Sequence, residues 1–386
     1  MAEACIPGEG IMDFNPNDTQ REIVEMAAKF AQREIAPYVD EDESNSFFRR
    51  EIFPKAGAAG MIGITCSEEF GGAGLGTTEY ALALEQIAKV SSGYATSLSV
   101  TGLPISIVDQ YGNKAQKEKF IPGLIAGEKI GAFCLTEPNS GSDAAALRTT
   151  AVKKGGKYIL NGVKQFITNG MQSDLFAVLA RTGGEGPKGV SCFIVEKGFP
   201  GLKGGKLEKK MGMRVSPTQE IIFENLEVPA ENMVGSDGQG FDVAKRALDG
   251  GRISMSAVAN GISRAAIEIA VSYAKEREQF GRPIMDFQGI SFLLADMTTE
   301  LEASRLLMLQ AATLKDAGER FTLQASMAKL KSTEACMRIT TDAVQVLGGY
   351  GYMEEFKVER YMREAKMLQL VEGTSQIQRL IIARGL

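Results

Sequence analysis

The stretch Lys157-Tyr-Ile-Leu-Asn-Gly-Val-Lys-Gln-Phe-Ile-Thr168 decides how this chain is read. Apolar and polar residues alternate along it, the period of a half-buried strand. Asn161-Gly162 in its middle is the dipeptide of a tight hairpin turn, so the spacing predicts two strands folded back on each other. Further strands are expected over 174–181, 189–196 and 220–228. Pro187, Pro200, Pro217 and Pro229 fall between strands, where a missing amide hydrogen does least harm. Outward from this segment the period changes on both sides. Before about residue 125 it is helical. Asn17-Asp18 can cap a helix carrying Ile23, Met26, Ala27 and Phe30, and further helices are expected over 77–90, 95–111 and 114–125. Glu69-Phe-Gly-Gly-Ala-Gly-Leu-Gly76 is not GxGxxG and follows no strand, so it reads as a flexible connection. Beyond about 240, long helices are expected over 241–275, 286–316 and 322–347. A last short helix, capped by Thr374 or Ser375, has the apolar face Ile377, Leu380 and Ile381. The expected fold class is α+β: an N-terminal all-α domain (1–127), a middle antiparallel β-barrel domain (128–238) and a C-terminal four-helix-bundle domain (239–386).

The totals narrow the function. A chain of 386 residues, 44% hydrophobic and 24% charged, can bury two or three cores. A net charge of −5 offers no basic field to nucleic acid or an anionic membrane. No apolar run reaches the roughly eighteen residues of a membrane span. The opening MAEACIPGEGIMDFNPND has neither the basic and apolar regions of a secretory signal nor the arginines of a transit peptide, so a cytoplasmic location is expected. The five cysteines (5, 66, 134, 192 and 336) form no CxxC pair, which fits a reducing compartment and thiols buried as small hydrophobes. There is no histidine. That removes Ser-His-Asp and Cys-His catalysis and every His-based metal site, and no metal is expected. Proton transfer falls to Asp, Glu, Lys, Tyr or Cys.

Three stretches stand out. Phe133-Cys-Leu-Thr-Glu-Pro-Asn-Ser-Gly-Ser-Asp143 runs an extended segment into a turn dense in hydroxyls and amides, suited to a heterocycle or phosphate, or simply a turn into the β domain. Arg277-Glu-Gln-Phe-Gly-Arg-Pro-Ile284, followed by Gln288, offers either a helix-end charge or a fork for a pyrophosphate. Gln345-Val-Leu-Gly-Gly-Tyr-Gly-Tyr352 has more glycine than a helix cap needs, and close backbone approach to a ligand competes with capping. A fourth, Leu368-Gln-Leu-Val-Glu-Gly-Thr-Ser-Gln-Ile-Gln378, sets one carboxylate, Glu372, behind apolar residues and before a glycine.

In this order and spacing the four stretches resemble the landmarks of the acyl-CoA dehydrogenases, and the resemblance covers essentially the whole chain. It implies non-covalently bound FAD. On the β-domain side, Phe133, Leu135, Thr136 and Ser142 would line the flavin, with Phe166, Ile167 and Thr168, where many members carry tryptophan in place of Phe166. From a neighbouring subunit, Arg277, Gln279, Phe280 and Gln288 would hold the pyrophosphate and adenosine, joined by Gln345, Gly348 and Gly349, with Thr374 and Gln376 near the adenine. The substrate would be an acyl-CoA, met by Ser142, Asp249, Arg252 and Gly373. Glu372 aligns with the family's base, and desolvation by Leu370, Val371 and the acyl chain would raise its pKa. The resemblance further implies 2-enoyl-CoA as product, electrons passed to an electron-transfer flavoprotein, and a homotetramer. Some members carry the base on the segment that here reads Asp249-Gly-Gly-Arg252, where glycines occupy that slot. Many have tyrosine where Val371 stands; the missing ring either leaves room for a branched, cyclic or aryl acyl group or is refilled by other side chains. Gly102, Leu103 and Pro104 would help set pocket depth. The alternatives are an acyl-CoA oxidase or specialised lyase on the same scaffold, or a non-catalytic acyl-CoA-binding protein.

Overall fold

A computed structural model describes residues 15–386; Cys5 and most of the opening segment read for targeting signals lie outside the described residues. Six helices come first: α1 (Asp18–Phe30), α2 (Val39–Asn45), α3 (Ile52–Ala58), α4 (Thr77–Val90), α5 (Ser92–Tyr111) and α6 (Lys114–Ile125). Asn17 caps α1 in a reciprocal capping box with Gln20. α5 starts three residues before the expected 95, because the Ser91 hydroxyl caps it by accepting from the Tyr94 amide. The glycine-rich 69–76 loop is not loose: Ala73, Gly74 and Leu75 donate to the carbonyls of Gly63, Cys66 and Ile64.

The strands are β1 (Gly131–Cys134), β2 (Thr150–Lys154), β3 (Lys157–Thr168), β4 (Leu175–Arg181), β5 (Val190–Glu196), β6 (Leu202–Leu207), β7 (Thr218–Pro229) and β8 (Met233–Val234). They join in the order β6-β7-β3-β2-β4-β5-β8, with β1 parallel to β4. The barrel expected from the sequence does not close. β4 carries β5 along one side and shares its other side between β1 and a single pair with β2, leaving β6 and β8 as ends. The expected hairpin at Asn161-Gly162 is also absent. β3 runs straight through, and the dipeptide forms a bulge against β7, with Gly162 at φ 152° and Asn225 opposite at φ 50°. The turn lies instead at Gly155-Gly156, between β2 and β3.

The bundle follows: α7 (Gly240–Glu276), a small ribbon of β9 (Glu278–Gln279) and β10 (Arg282–Pro283), α8 (Gln288–Asp316), α9 (Thr322–Leu347), α10 (Val358–Leu368) and α11 (Ser375–Arg384). α11 buries Ser375 and Gln378, not the expected apolar face: Leu380 is exposed and Ile377 and Ile381 are only partly covered. β4 and β5 link the layers. Leu175, Ala177, Leu179, Cys192 and Ile194 pack on the helices, while Phe176, Val178, Phe193 and Val195 fill a second core inside the β domain. Cys66, Cys134, Cys192 and Cys336 are buried free thiols. No described helix is long and apolar enough to cross a membrane.

Candidate active site

The α10–α11 turn puts Glu372 and Gly373 at φ 55° and 90°. Glycine tolerates this left-handed region; glutamate rarely enters it unless neighbours hold it there. They do. Gln378, wholly buried on α11, donates to the carbonyls of Glu372 (3.2 Å) and Gly373 (2.8 Å). Lys329 on α9, also wholly buried, donates to the Gly373 carbonyl at 2.8 Å. Thr374 is occupied as the α11 cap, accepting from the Ile377 amide. The fixed turn aims the Glu372 side chain at α7, and its Oε2 is sealed from solvent without a hydrogen-bond partner. A Cβ on Gly251 would lie 2.6 Å from that oxygen, so a larger residue there would push the carboxylate out of this position.

Burial pushes the Glu372 carboxyl up to about 7, against the pull of Arg252 and Lys329. Leu370, expected to help desolvate it, is instead 54% exposed; α7 and the partly buried Val371 do that work. Arg252 pairs with Asp249, whose other oxygen accepts from the Thr322 hydroxyl at 2.7 Å. Farther along α7, Ser254 meets the Tyr80 hydroxyl, which also meets Ser99 and lies 3.7 Å from where a Cβ on Gly102 would stand. Pro104 is buried against Gly131.

A second cluster forms where β1 meets β3. The Gln165 amide donates to the Thr136 carbonyl at 2.8 Å, bringing Phe133, Leu135 and Thr136 beside Phe166, Ile167 and Thr168. Phe166 is 62% exposed at φ 58°, whereas Ile167 is buried. The turn to Ser142 hangs on a buried ion pair. Lys164 donates to the Leu135 carbonyl (3.0 Å) and to Glu137 (2.8 Å), and Glu137 also accepts from the amides of Arg148 and Thr149. Asn169, at φ 68°, donates to the carbonyls of Ser97 and Gly131 and ties α5 to the end of β3.

A third cluster lies on the bundle. Arg277 sits 5.8 Å from the Tyr350 ring centroid, so the 277–288 and 345–350 segments meet. Phe280 is 94% exposed and touches Phe287 just before Gln288. Gln279, Gln288, Gln345, Gly348, Gly349 and Gln376 are all exposed. Among the described residues no hydrogen bond, ion pair or ring contact joins this cluster to the β-domain cluster.

Lys329, Gln378, Lys164, Asn169 and Tyr80 were not singled out from sequence. Asn169-Gly170 carries a turn signal at the end of β3; the others sit inside helices or a strand where nothing local marks them.

Comparison with known proteins accounts for nearly the whole chain. Three family models match in series: acyl-CoA dehydrogenase, N-terminal domain over 17–128, middle domain over 132–226 and C-terminal domain over 238–386. A protein named acyl-CoA dehydrogenase, short-chain specific, of Clostridium acetobutylicum is 45% identical, covering 96% of this chain and 99% of its own. The structure of butyryl-CoA dehydrogenase from Megasphaera elsdenii superposes with a TM-score of 0.95 at 44% identity, covering 97% and 99%. A chain in a structure described as the electron transferring flavoprotein of Acidaminococcus fermentans superposes with a TM-score of 0.96 at 47% identity, with the same coverage.

Proposed function

The chain belongs to the acyl-CoA dehydrogenase family of FAD-dependent oxidoreductases, and from that premise we propose that it converts a short-chain, branched or cyclic acyl-CoA to the 2-enoyl-CoA with Glu372 as base. The sealed, unpartnered carboxylate oxygen resting on Gly251 carries this reading. A solvated glutamate is too weak a base for a proton on carbon. One whose carboxyl sits near 7 is stronger and still ionises at neutral pH. Glu372 takes the α-proton of the thioester. The clamp on the 372–373 carbonyls fixes the peptide whose amide would face the thioester oxygen as negative charge develops there. Valine at 371, smaller than an aromatic ring, and glycine at 102 facing the Tyr80 hydroxyl would suit a compact acyl group.

FAD, when bound, supplies the oxidant that accepts the β-hydrogen as hydride. The residues present fit it. Phe166 offers an uncovered ring face beside Thr168. Gly348 and Gly349 have nothing within 4 Å of a would-be Cβ, leaving backbone open to close approach. Arg277 provides an exposed guanidinium for a pyrophosphate. Gln279, Phe280, Gln288 and Gln345 would complete the adenosine side from a second subunit of a homotetramer. Electrons would pass to an electron-transfer flavoprotein in the cytoplasm.

The test is anaerobic bleaching of the yellow protein by a panel of butyryl, isobutyryl, cyclohexanoyl, glutaryl and aryl thioesters. Glu372→Gln should keep its flavin and lose about a hundredfold to ten-thousandfold in rate. In the wild type the rate should climb as pH rises through about 7, because the base must be ionised. Full activity in Glu372→Gln would remove the assignment, and rapid peroxide formation in air would favour an oxidase.

A further inference from the structure

We propose that Lys329 is a positioning residue for Glu372: its buried ammonium grips the Gly373 carbonyl and supplies, beside Arg252, a fixed counter-charge to the carboxylate whose Oε2 is sealed. The proposal rests on Glu372 being the base. Its starting point is an anomaly of charge. A wholly buried lysine is expensive unless it is paired, yet Lys329 makes no ion pair among the described residues, and its hydrogen bond goes to a neutral carbonyl. Holding that carbonyl does not require a cation, since the Gln378 amide already donates to it at 2.8 Å. What lysine adds is charge, in a place where water contributes little screening.

The charged groups around the turn support this division. From α7, Arg252 faces Glu372 but is already matched by Asp249. From α9, Glu334 faces Lys329 but lies 3.6 Å from Arg379 of α11. Lys329 is thus the cation facing Glu372 without an ion-pair partner of its own. Burial brings Lys329 down to about 8 against the opposing pull of Glu372, so it remains protonated at the pH where the carboxyl ionises. The ammonium acts on the carboxylate across the turn as a nearby charge, without direct contact; removing it lets desolvation drive the carboxyl higher.

Three holoenzyme variants separate charge from packing. Lys329→Met removes both, Lys329→Gln keeps a donor without charge, and Lys329→Arg keeps the charge. The acid limb of kcat/KM against pH is read with butyryl-CoA. Infrared titration of the Glu372 carboxyl, with Glu372→Gln as blank, reads the same group without turnover. Both neutral variants should move the limb and the infrared titration up by about one pH unit or more. They should lose about tenfold at pH 6 and recover above pH 8, and Lys329→Arg should stay near the wild type. Lys329→Gln keeps the test open if Lys329→Met does not fold. An unmoved limb with equal loss at every pH would make Lys329 a structural pin and overturn the proposal. If no acyl-CoA bleaches the wild type, the parent reading fails, while the infrared shift still decides whether the two charges are coupled.

Discussion

At the scale of the residue, the molecule gives up stability to hold Glu372 where it is. A carboxyl whose folded pKa lies above its unfolded value contributes stability that is complete below about 4.5 and is lost as pH rises through about 7. At pH 8 the wild type therefore carries a buried charge that Glu372→Gln lacks. The variant should unfold at a higher temperature than the wild type at pH 8, by the equivalent of about 3 kcal/mol at most, with little difference remaining at pH 5. Calorimetry at the two pH values decides it; equal melting at pH 8 would mean the carboxylate is solvated. The sequence marked this residue through its apolar flank and following glycine, but assigned the desolvation partly to Leu370, which is exposed. Gly251, against which the carboxylate lies, and Lys329, which holds the turn, lie 121 and 43 positions earlier by the numbering and meet it only through the packing of α7, α9 and the 371–374 turn.

At the scale of the element, the domains are joined by specific contacts as well as by core. Asp316, at the end of α8, caps the first turn of α4 across the domain boundary. Its two oxygens accept from the amides of Thr77 (2.6 Å) and Thr78 (2.9 Å), and one also accepts from the Thr78 hydroxyl (2.8 Å). Asp316→Ala should cost about 1–2 kcal/mol in denaturant unfolding, with Asp316→Asn losing less, since a neutral oxygen still accepts. A cost near zero would mean solvent serves those amides equally well. Helices were the elements most legible in sequence, because a 3.6 period sustained over twenty residues has few other causes. The positions of β3, β4, β5 and β7 were legible too, but β2, β6 and β8 were not, and neither were the connections. Asn161-Gly162 has the composition of a tight turn, yet β7 pairs on both sides of it and absorbs the extra residue as a bulge. Local turn chemistry therefore lost to a long neighbouring strand, and sheet closure was misjudged because a β-domain sequence does not say which strands share β4.

At the scale of the whole molecule, no hydrogen bond, ion pair or ring contact among the described residues joins the two groups of candidate FAD residues, and the bundle cluster leaves Phe280 and Tyr352 largely exposed and Tyr350 half-exposed. Large apolar side chains exposed together are unusual on a monomer's surface, and here they flank the residues that the family resemblance assigns to the adenosine end. If each flavin site takes its β-domain wall from one chain and its Arg277 wall from another, damage to the two walls should be separable. A chain carrying Phe166→Ala and Thr168→Ala keeps an intact Arg277 wall, and a chain carrying Arg277→Ala and Gln288→Ala keeps an intact β-domain wall. Each alone should lose FAD on dialysis. In co-expressed mixtures, the sites formed by the second chain's β-domain wall and the first chain's Arg277 wall are fully intact. Random assembly should therefore return about a quarter of the wild-type flavin content and activity. If one chain built its own site, every site in the mixture would still carry one damaged wall and nothing would return. Flavin absorbance per subunit in the mixture, set against each variant alone, distinguishes the two architectures.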